Sequence, residues 1–242
     1  MKRVLITGAG SGIGLQLARD YAADGWRVLA CGRDRSRLEQ ALEGVEAELC
    51  LFDMENREQA ARVLSAQDEL DLVILNAGGC EYIDDALHFD AALFERVIRT
   101  NLIGTANCLA PLLARIKPGG RLALMSSSVT WLPLTRAEAY GASKAGLDYL
   151  ARSLALDLAR HQIGVSLIRP GFVDTPLTRK NDFPMPGRIE VGQASRAIRR
   201  GLARGRAEIG FPFFFVQALR LLSWLPRGLW LRLARRTPRS TT

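Results

Sequence analysis

Short apolar runs take turns with helical patterns along most of this chain, and that alternation leaves few architectures open. Val4-Leu5-Ile6 ends in glycines and is followed by a helical pattern through Ile13, Leu15, Leu17, Ala18 and Tyr21 that Gly25 closes. Further strands are expected at Arg27–Cys31, Glu48–Phe52 and Leu72–Leu75, with helices at Ser36–Leu42 and Arg57–Leu64 between them. Helical stretches then fill Asp90–Leu113, ahead of a strand at Arg121–Met125, a helix at Tyr140–Arg160 and a strand at Val165–Ile168. A Pro/Gly-rich loop from Pro170 to Gly187, a helix near Gln193–Ala203 and a last strand Ala207–Phe211 complete the pattern. Strands separated by helices cannot pair as hairpins. They call for a three-layer α/β/α arrangement, a doubly wound parallel sheet of about seven strands in one domain. Within 242 residues, 1–210 suffice for such a domain, and 211–242 are set apart as a basic, aromatic, amphipathic C-terminal extension.

Composition removes several function classes. Apolar residues make up 48% and charged residues 24%, ordinary values that argue against collagen, a disordered polymer or a disulfide-stapled miniature. The two histidines, His88 and His161, are too far apart for a local zinc pair, so no metal is expected. Cys31, Cys50, Cys80 and Cys108 show no Cys-x-x-Cys spacing and read as packing thiols of a cytoplasmic protein. Only three apolar residues follow Met1-Lys2-Arg3 before Thr7-Gly8, too few for a secretion signal.

Charge is uneven. From Gln193 onward eleven arginines accompany a single acid, so the basicity belongs to one end. A nucleic-acid partner is not expected, because these arginines are interleaved with Phe211, Phe213, Phe214, Phe215, Trp224, Trp230 and several leucines. Arg220, Arg227 and Arg232 also prevent the segment from spanning a bilayer. The extension is expected to pack its apolar stripe on its own domain or on a second subunit. Peripheral contact with the inner membrane surface, where lipid-like carbonyls partition, is the alternative.

Thr7-Gly8-Ala9-Gly10-Ser11-Gly12-Ile13-Gly14 lies between the first strand and the first helix, where a dinucleotide pyrophosphate docks on unpaired helix N–H groups. The spacing is Gly-x-x-x-Gly-x-Gly, not the usual Gly-x-Gly-x-x-Gly. It also lacks the Lys-Ser/Thr ending of a nucleoside-triphosphate loop. With its preceding threonine, this variant resembles the short-chain dehydrogenase/reductase family. The resemblance continues through Asn76-Ala77-Gly78, Asn101, Ser127, Tyr140 and Lys144 as Tyr-x-x-x-Lys, Pro170-Gly171 and Thr175, and covers roughly residues 3–176. It implies cofactor contacts from Gly8, Gly10, Ser11, Gly12, Ile13, Gly14, Asn76, Ala77, Gly78, Pro170, Gly171, Val173 and Thr175, and from Tyr140 and Lys144. By the same resemblance Lys144 holds the nicotinamide ribose, Asp53 contacts the adenine, and a homodimer or homotetramer forms around the helix Tyr140–Arg160. A helix N-cap is the plainer role for Asp53. The long C-terminal substrate domain of the family's sugar-nucleotide epimerases is not present in this sequence.

Reducing a carbonyl requires hydride on carbon and a proton on oxygen, so an acid has to reach that oxygen. Tyr140 is the candidate. A phenol ordinarily titrates near pH 10, and the ammonium of Lys144, one turn along the same helix face, favours its phenolate. Ser127 is expected to hydrogen-bond the substrate oxygen, with Ser128 as a rival, and Asn101 to anchor a water relaying protons from Lys144. In place of the glycine that the family often has shortly after its serine stand Thr130-Trp131. A serine hydrolase is the poorer account, since no histidine lies near these serines and Gly141-Ala142-Ser143-Lys144-Ala145 lacks the closing glycine of a nucleophile elbow.

The residue ending the second strand chooses the cofactor: an acid there accepts a ribose hydroxyl and repels a 2′-phosphate. Here Gly32 is followed by Arg33, with further arginines at 35 and 37 and an opposing Asp34, so NADP(H) is favoured and NAD(H) is the alternative. Trp131, Leu132, Leu134, Leu177, Phe183, Met185 and Tyr82 are the expected substrate walls and suit an apolar ketone, aldehyde or secondary alcohol. Arg179 and Lys180 would meet a carboxylate or phosphate, if they are more than solvated loop charges. The leading expectation is an NADPH-dependent carbonyl reductase. The alternatives are a catalytically silent dinucleotide sensor and a membrane-surface binding protein.

Overall fold

A computed structural model describes residues 1–234. Strands β1 (Arg3–Thr7), β2 (Arg27–Gly32), β3 (Ala47–Leu51), β4 (Leu70–Leu75), β5 (Ile116–Met125), β6 (Gly164–Pro170) and β7 (Glu208–Phe211) form one seven-stranded sheet in the order β3-β2-β1-β4-β5-β6-β7. Every pairing is parallel. The helices are α1 (Gly12–Ala23), α2 (Arg35–Ala41), α3 (Arg57–Ser65), α4 (Ala91–Ile98), α5 (Gly104–Leu112), α6 (Glu138–Ala159), α7 (Val191–Ala203), α8 (Phe213–Leu222) and α9 (Arg227–Ala234).

Successive strand side chains point to opposite faces, so the apolar runs serve two cores at once. Val4, Ile6, Val28, Ala30, Leu72 and Ile74 join Leu17, Leu38 and Ile198 from α1, α2 and α7 on one face. Leu5, Leu29, Val73 and Leu75 join Leu64, Leu112 and Leu158 from α3, α5 and α6 on the other. From β1 the chain builds outward to β3, then returns to place β4 on the other side of β1. Crossovers therefore leave β1 and β4 in opposite directions, and a crevice opens beyond the carboxyl ends of these strands.

Several boundaries differ from the expected ones for local reasons. The stretch expected as helical over Asp90–Leu113 is interrupted by a π-helical turn, Arg99–Ile103, between α4 and α5. β5 starts at Ile116, paired with Leu70, and a register shift between Leu70 and Leu72 takes up the residues before Arg121. Phe211 ends β7, paired with Pro170 and buried, so the sheet reaches one residue into the expected extension. Asn56, not Asp53, caps α3 by accepting from the Gln59 N–H, while Asp53 Oδ1 accepts from the Glu55 N–H in a turn.

Candidate active site

The glycine turn is shaped by contacts that leave no room for side chains. Gly8 and Gly12 have φ of +70° and +55°, in the left-handed region that glycine enters without cost. A Cβ on Gly14 would lie 2.3 Å from the Gly8 carbonyl oxygen, and one on Gly8 would lie 3.0 Å from the Ala77 Cα. Thr7 binds the turn to the end of β4: its hydroxyl accepts from the N–H groups of Asn76 and Ala77 at 2.9 and 3.0 Å, and its carbonyl accepts from the Asn76 amide at 2.9 Å. Asn76 thus clamps two strand ends at the crevice. Ser11 is the N-cap of α1 but makes no side-chain cap bond, and Ile13 follows in the first turn of the helix. Such a helix start suits an anion.

Other segments converge on the same turn. Thr175 comes within 3.2 Å of where a Gly12 Cβ would stand, and Gly10 lies beside the Arg37 side chain. Gly171 donates to the Phe211 carbonyl at 2.7 Å, just past Pro170. Val173 turns its side chain into the core and bridges Ile189, so a contact from Val173 to a ligand would have to use its backbone. Arg33 is exposed at the end of β2. Asp34 is occupied as the N-cap of α2, accepting from the Arg37 N–H at 3.1 Å, which holds its carboxyl below the usual range. A cradle of main chain at a helix start fits the pyrophosphate of a dinucleotide.

Across the crevice, α6 presents Tyr140 and Lys144 beside the end of β5. Lys144 is buried, donates to the Met125 carbonyl at 2.8 Å, and lies 5.7 Å from the Tyr140 ring centroid. Burial brings its ammonium from an ordinary 10.5 down to about 8, while Cys80 and Asp148 pull the other way. Burial also dominates at Tyr140, whose phenol is pushed well above its usual value by desolvation and by Cys80, against a hydrogen bond from Ser127 that favours the phenolate. The expected lowering of the phenol by Lys144 is not found: loss of water around the phenol sets the direction and holds Tyr140 toward its protonated form. Ser127 is the serine that faces Tyr140. Ser128 is buried, and Ser126 donates to Asp148 at 2.5 Å.

The π turn brings Asn101 into this cluster. It is fully buried; its amide donates to the Gly79 carbonyl and the Ser143 hydroxyl, both at 2.9 Å, and its Oδ1 accepts from the Gly79 N–H at 2.8 Å. Both amide hydrogens are thereby used, so a relay water would have to meet its oxygen atoms. A Cβ on Gly78 would lie 2.9 Å from Asn101 Oδ1 and 3.3 Å from Lys144 Nζ, which explains a glycine there. The widened turn is what aims Asn101 inward.

Four residues of this region escaped the sequence reading. Arg169 of β6 is buried, pairs with Asp148 of α6 at 2.6 Å, donates to the Thr130 hydroxyl and stacks 5.1 Å under the Trp131 ring. The pair fixes the segment that follows Ser127. Cys80, expected as packing, lies within hydrogen-bond reach of Tyr82 and is close enough to Tyr140 and Lys144 to shift both. Arg136 has φ +64°, pairs with Asp84 at 2.6 Å and Asp182 at 2.9 Å, and sits 5.3 Å over Tyr82. Only the i, i+4 spacing of Lys144 and Asp148 could have flagged any of this from sequence.

The substrate walls are partly as expected. Tyr82 and Phe183 meet edge to face at 5.5 Å, and Phe172 and Phe215 extend the row at 6.1 and 5.6 Å. Leu134 and Leu177 are exposed, whereas Leu132 is buried. Arg179 is held by Asp174 at 2.9 Å, leaving it poorly placed to receive a substrate anion.

Comparisons with known proteins follow these lines. The family pattern described as short chain dehydrogenase matches residues 2–184. An uncharacterized oxidoreductase of Myxococcus xanthus is 35% identical over 250 residues, covering 97% of both chains. The 3-oxoacyl-acyl-carrier-protein reductase MabA of Mycobacterium tuberculosis is 34% identical over 191 residues, 75% of this chain and 73% of that one. Among solved structures, a short chain dehydrogenase of Burkholderia cenocepacia in complex with NADP superposes with a TM-score of 0.86 at 24% identity, over 98% of this chain and 100% of the other.

Proposed function

The chain belongs to the short-chain dehydrogenase/reductase family and is an NAD(P)-dependent oxidoreductase of CH–OH and C=O groups, and we propose that it reduces apolar ketones or aldehydes with NADPH. The observation that carries this reading is the half-buried Tyr140 phenol with Ser127 beside it and Lys144 one turn along. NADPH, when bound, supplies the hydride. The chain's own residues manage the oxygen. Ser127 hydrogen-bonds it and Tyr140 gives it a proton as carbon is reduced, so that an alcohol leaves and a phenolate remains. Lys144 and the oxygen atoms of Asn101 lie on the path by which the phenolate regains its proton.

The turn Gly8–Gly14, including Gly10, Ser11, Gly12 and Ile13, would hold the pyrophosphate, and Asn76-Ala77-Gly78, Pro170, Gly171, Val173 and Thr175 would border the nicotinamide half. Asp53 would meet the adenine. The exposed Arg33, with Arg37 beside Gly10, supports a 2′-phosphate, as does the NADP held by the Burkholderia cenocepacia structure. The aromatic row and the name of the MabA relative support an apolar, acyl-like carbonyl. Tyr149 and Leu156, each 80% exposed on the outer face of α6, support a homodimer or homotetramer built on that helix. All four cysteines are free thiols, which supports the cytoplasm as its compartment.

The test is Tyr140→Phe. Turnover of a carbonyl with NADPH should fall about 10²- to 10⁴-fold while NADPH binding, read by fluorescence, is kept. Unchanged turnover would remove the phenol from the mechanism, and a wild-type protein that binds NADPH but reduces no carbonyl in a broad screen would favour a sensor.

A further inference from the structure

We propose that α8 and α9 dock on an anionic phospholipid surface and that the cleft takes its carbonyl substrate from that surface; the second half of this statement rests on the reductase reading above. α8 buries only Val216. Phe213, Phe214, Leu221, Trp224, Leu229, Leu231 and Leu233 stay exposed, Phe214 by 85% and Trp224 by 76%. Scattered exposed leucines need no explanation, but this many large apolar groups on two consecutive short helices and the turn between them do. No helix among the described residues is long and apolar enough to cross a membrane.

Charge selects the occupant. From Phe211 to Thr242 the chain holds six arginines and no acid. A second copy seated on this face through a twofold axis would bring arginines against arginines. An anionic lipid surface instead neutralises them while the phenylalanine, leucine and tryptophan side chains enter the interfacial layer, where indole rings are favoured.

The same helices close the cleft. Phe215 of α8 rests on Gly171, where a Cβ would lie 2.7 Å from its ring, and its ring begins the row Phe215, Phe172, Phe183, Tyr82 that ends beside Cys80 and Tyr140. Trp230 of α9 donates from Nε1 to the Pro133 carbonyl at 3.1 Å, on the segment that follows Ser127. Both segments that border the site thus touch the extension, and an apolar molecule leaving the lipid layer meets aromatic rings all the way to the phenol.

The full-length protein is sedimented with vesicles of phosphatidylcholine alone and with about a third phosphatidylglycerol. Binding is expected only to the anionic vesicles, with release at about 0.5 M salt, where the screening length is a few ångströms. The double variant Phe214→Ser/Trp224→Ser should bind at least tenfold more weakly, and Arg220→Gln/Arg232→Gln about 25-fold more weakly, at about fivefold per arginine. Wild-type protein that stays in the supernatant, variants that sediment like wild type, or an apolar face whose loss turns a dimer into a monomer without any vesicle binding would each overturn the docking. Turnover separates the two readings. The Phe214→Ser/Trp224→Ser variant should keep its rate on a short water-soluble aldehyde and lose it on a long-chain ketone held in the vesicles; equal loss on both would overturn the delivery route. Sedimentation uses no turnover, so failure of the reductase reading leaves it unchanged.

Discussion

The two sides of the crevice are built from different materials. On the side of β1 and β4 the walls are main chain: Gly8, Gly14 and Gly78 bring backbone and buried side chains so close that a methyl group would collide, and Thr7 closes the joint with three hydrogen bonds. On the side of β5, β6 and the extension the walls are side chains, an aromatic row together with a buried ion pair between Arg169 and Asp148. A backbone wall presents fixed amides and admits one kind of ligand. A side-chain wall can be recomposed without moving the sheet, so one nucleotide site can serve many carbonyls.

That contrast can be broken at three points. Arg169→Met should have the largest effect on stability, roughly 3–5 kcal/mol, because it strands the buried Asp148 carboxylate; a melting scan should show a fall of roughly 6–20 °C. Arg169→Met/Asp148→Leu should recover most of that loss, showing that the pair is kept to position Trp131 and Ser127 more than to hold the fold together. Next, Gly14→Ala pushes a methyl group to within 2.3 Å of a carbonyl oxygen, and titration with NADPH should show affinity reduced about 10- to 100-fold. A Leu134→Ala change on the opposite rim should leave NADPH affinity as it was. The mildest effect is in pH. Lys144 titrates near 8 when folded against 10.5 when unfolded, so between these values the unfolded chain holds a proton that the folded chain has released. The residue therefore costs stability below pH 8, and the cost fades as pH rises to 10.5. Carbonyl reduction should bend near pH 8, and Lys144→Arg, cationic throughout, should carry the bend out of the range 6–10 in whatever activity it retains.

The backbone side was the legible one. Its glycines follow one another within a single turn, and their close approaches recur wherever a strand, a turn and a helix meet a pyrophosphate, so Gly8 to Gly14 could be read from spacing; Tyr140 and Lys144, across the crevice, were legible only through the family resemblance. The alternation of strands and helices likewise announced the doubly wound sheet. The other side left little trace in the sequence because its partners are far apart in the chain. Tyr82 meets Phe183, and Arg136 reaches Asp84 and Asp182; no local pattern records such pairs. The π turn at Asn101 was hidden for another reason: one residue too many in a turn barely disturbs the apolar rhythm of the flanking helices. Phe215 was legible only as part of an apolar run, since the surface it covers depends on where β7 ends.

Arg136 ties three segments of the rim to one cation. One guanidinium is shared between carboxylates from the segments after β4 and after β6, with its own segment following β5. A bulky product that lifts the Arg136 segment must break both pairs, whereas one that moves either carboxylate's segment breaks one. Salt, which weakens exposed ion pairs, should therefore loosen this rim more than the glycine turn, whose joint is made of main-chain and hydroxyl hydrogen bonds.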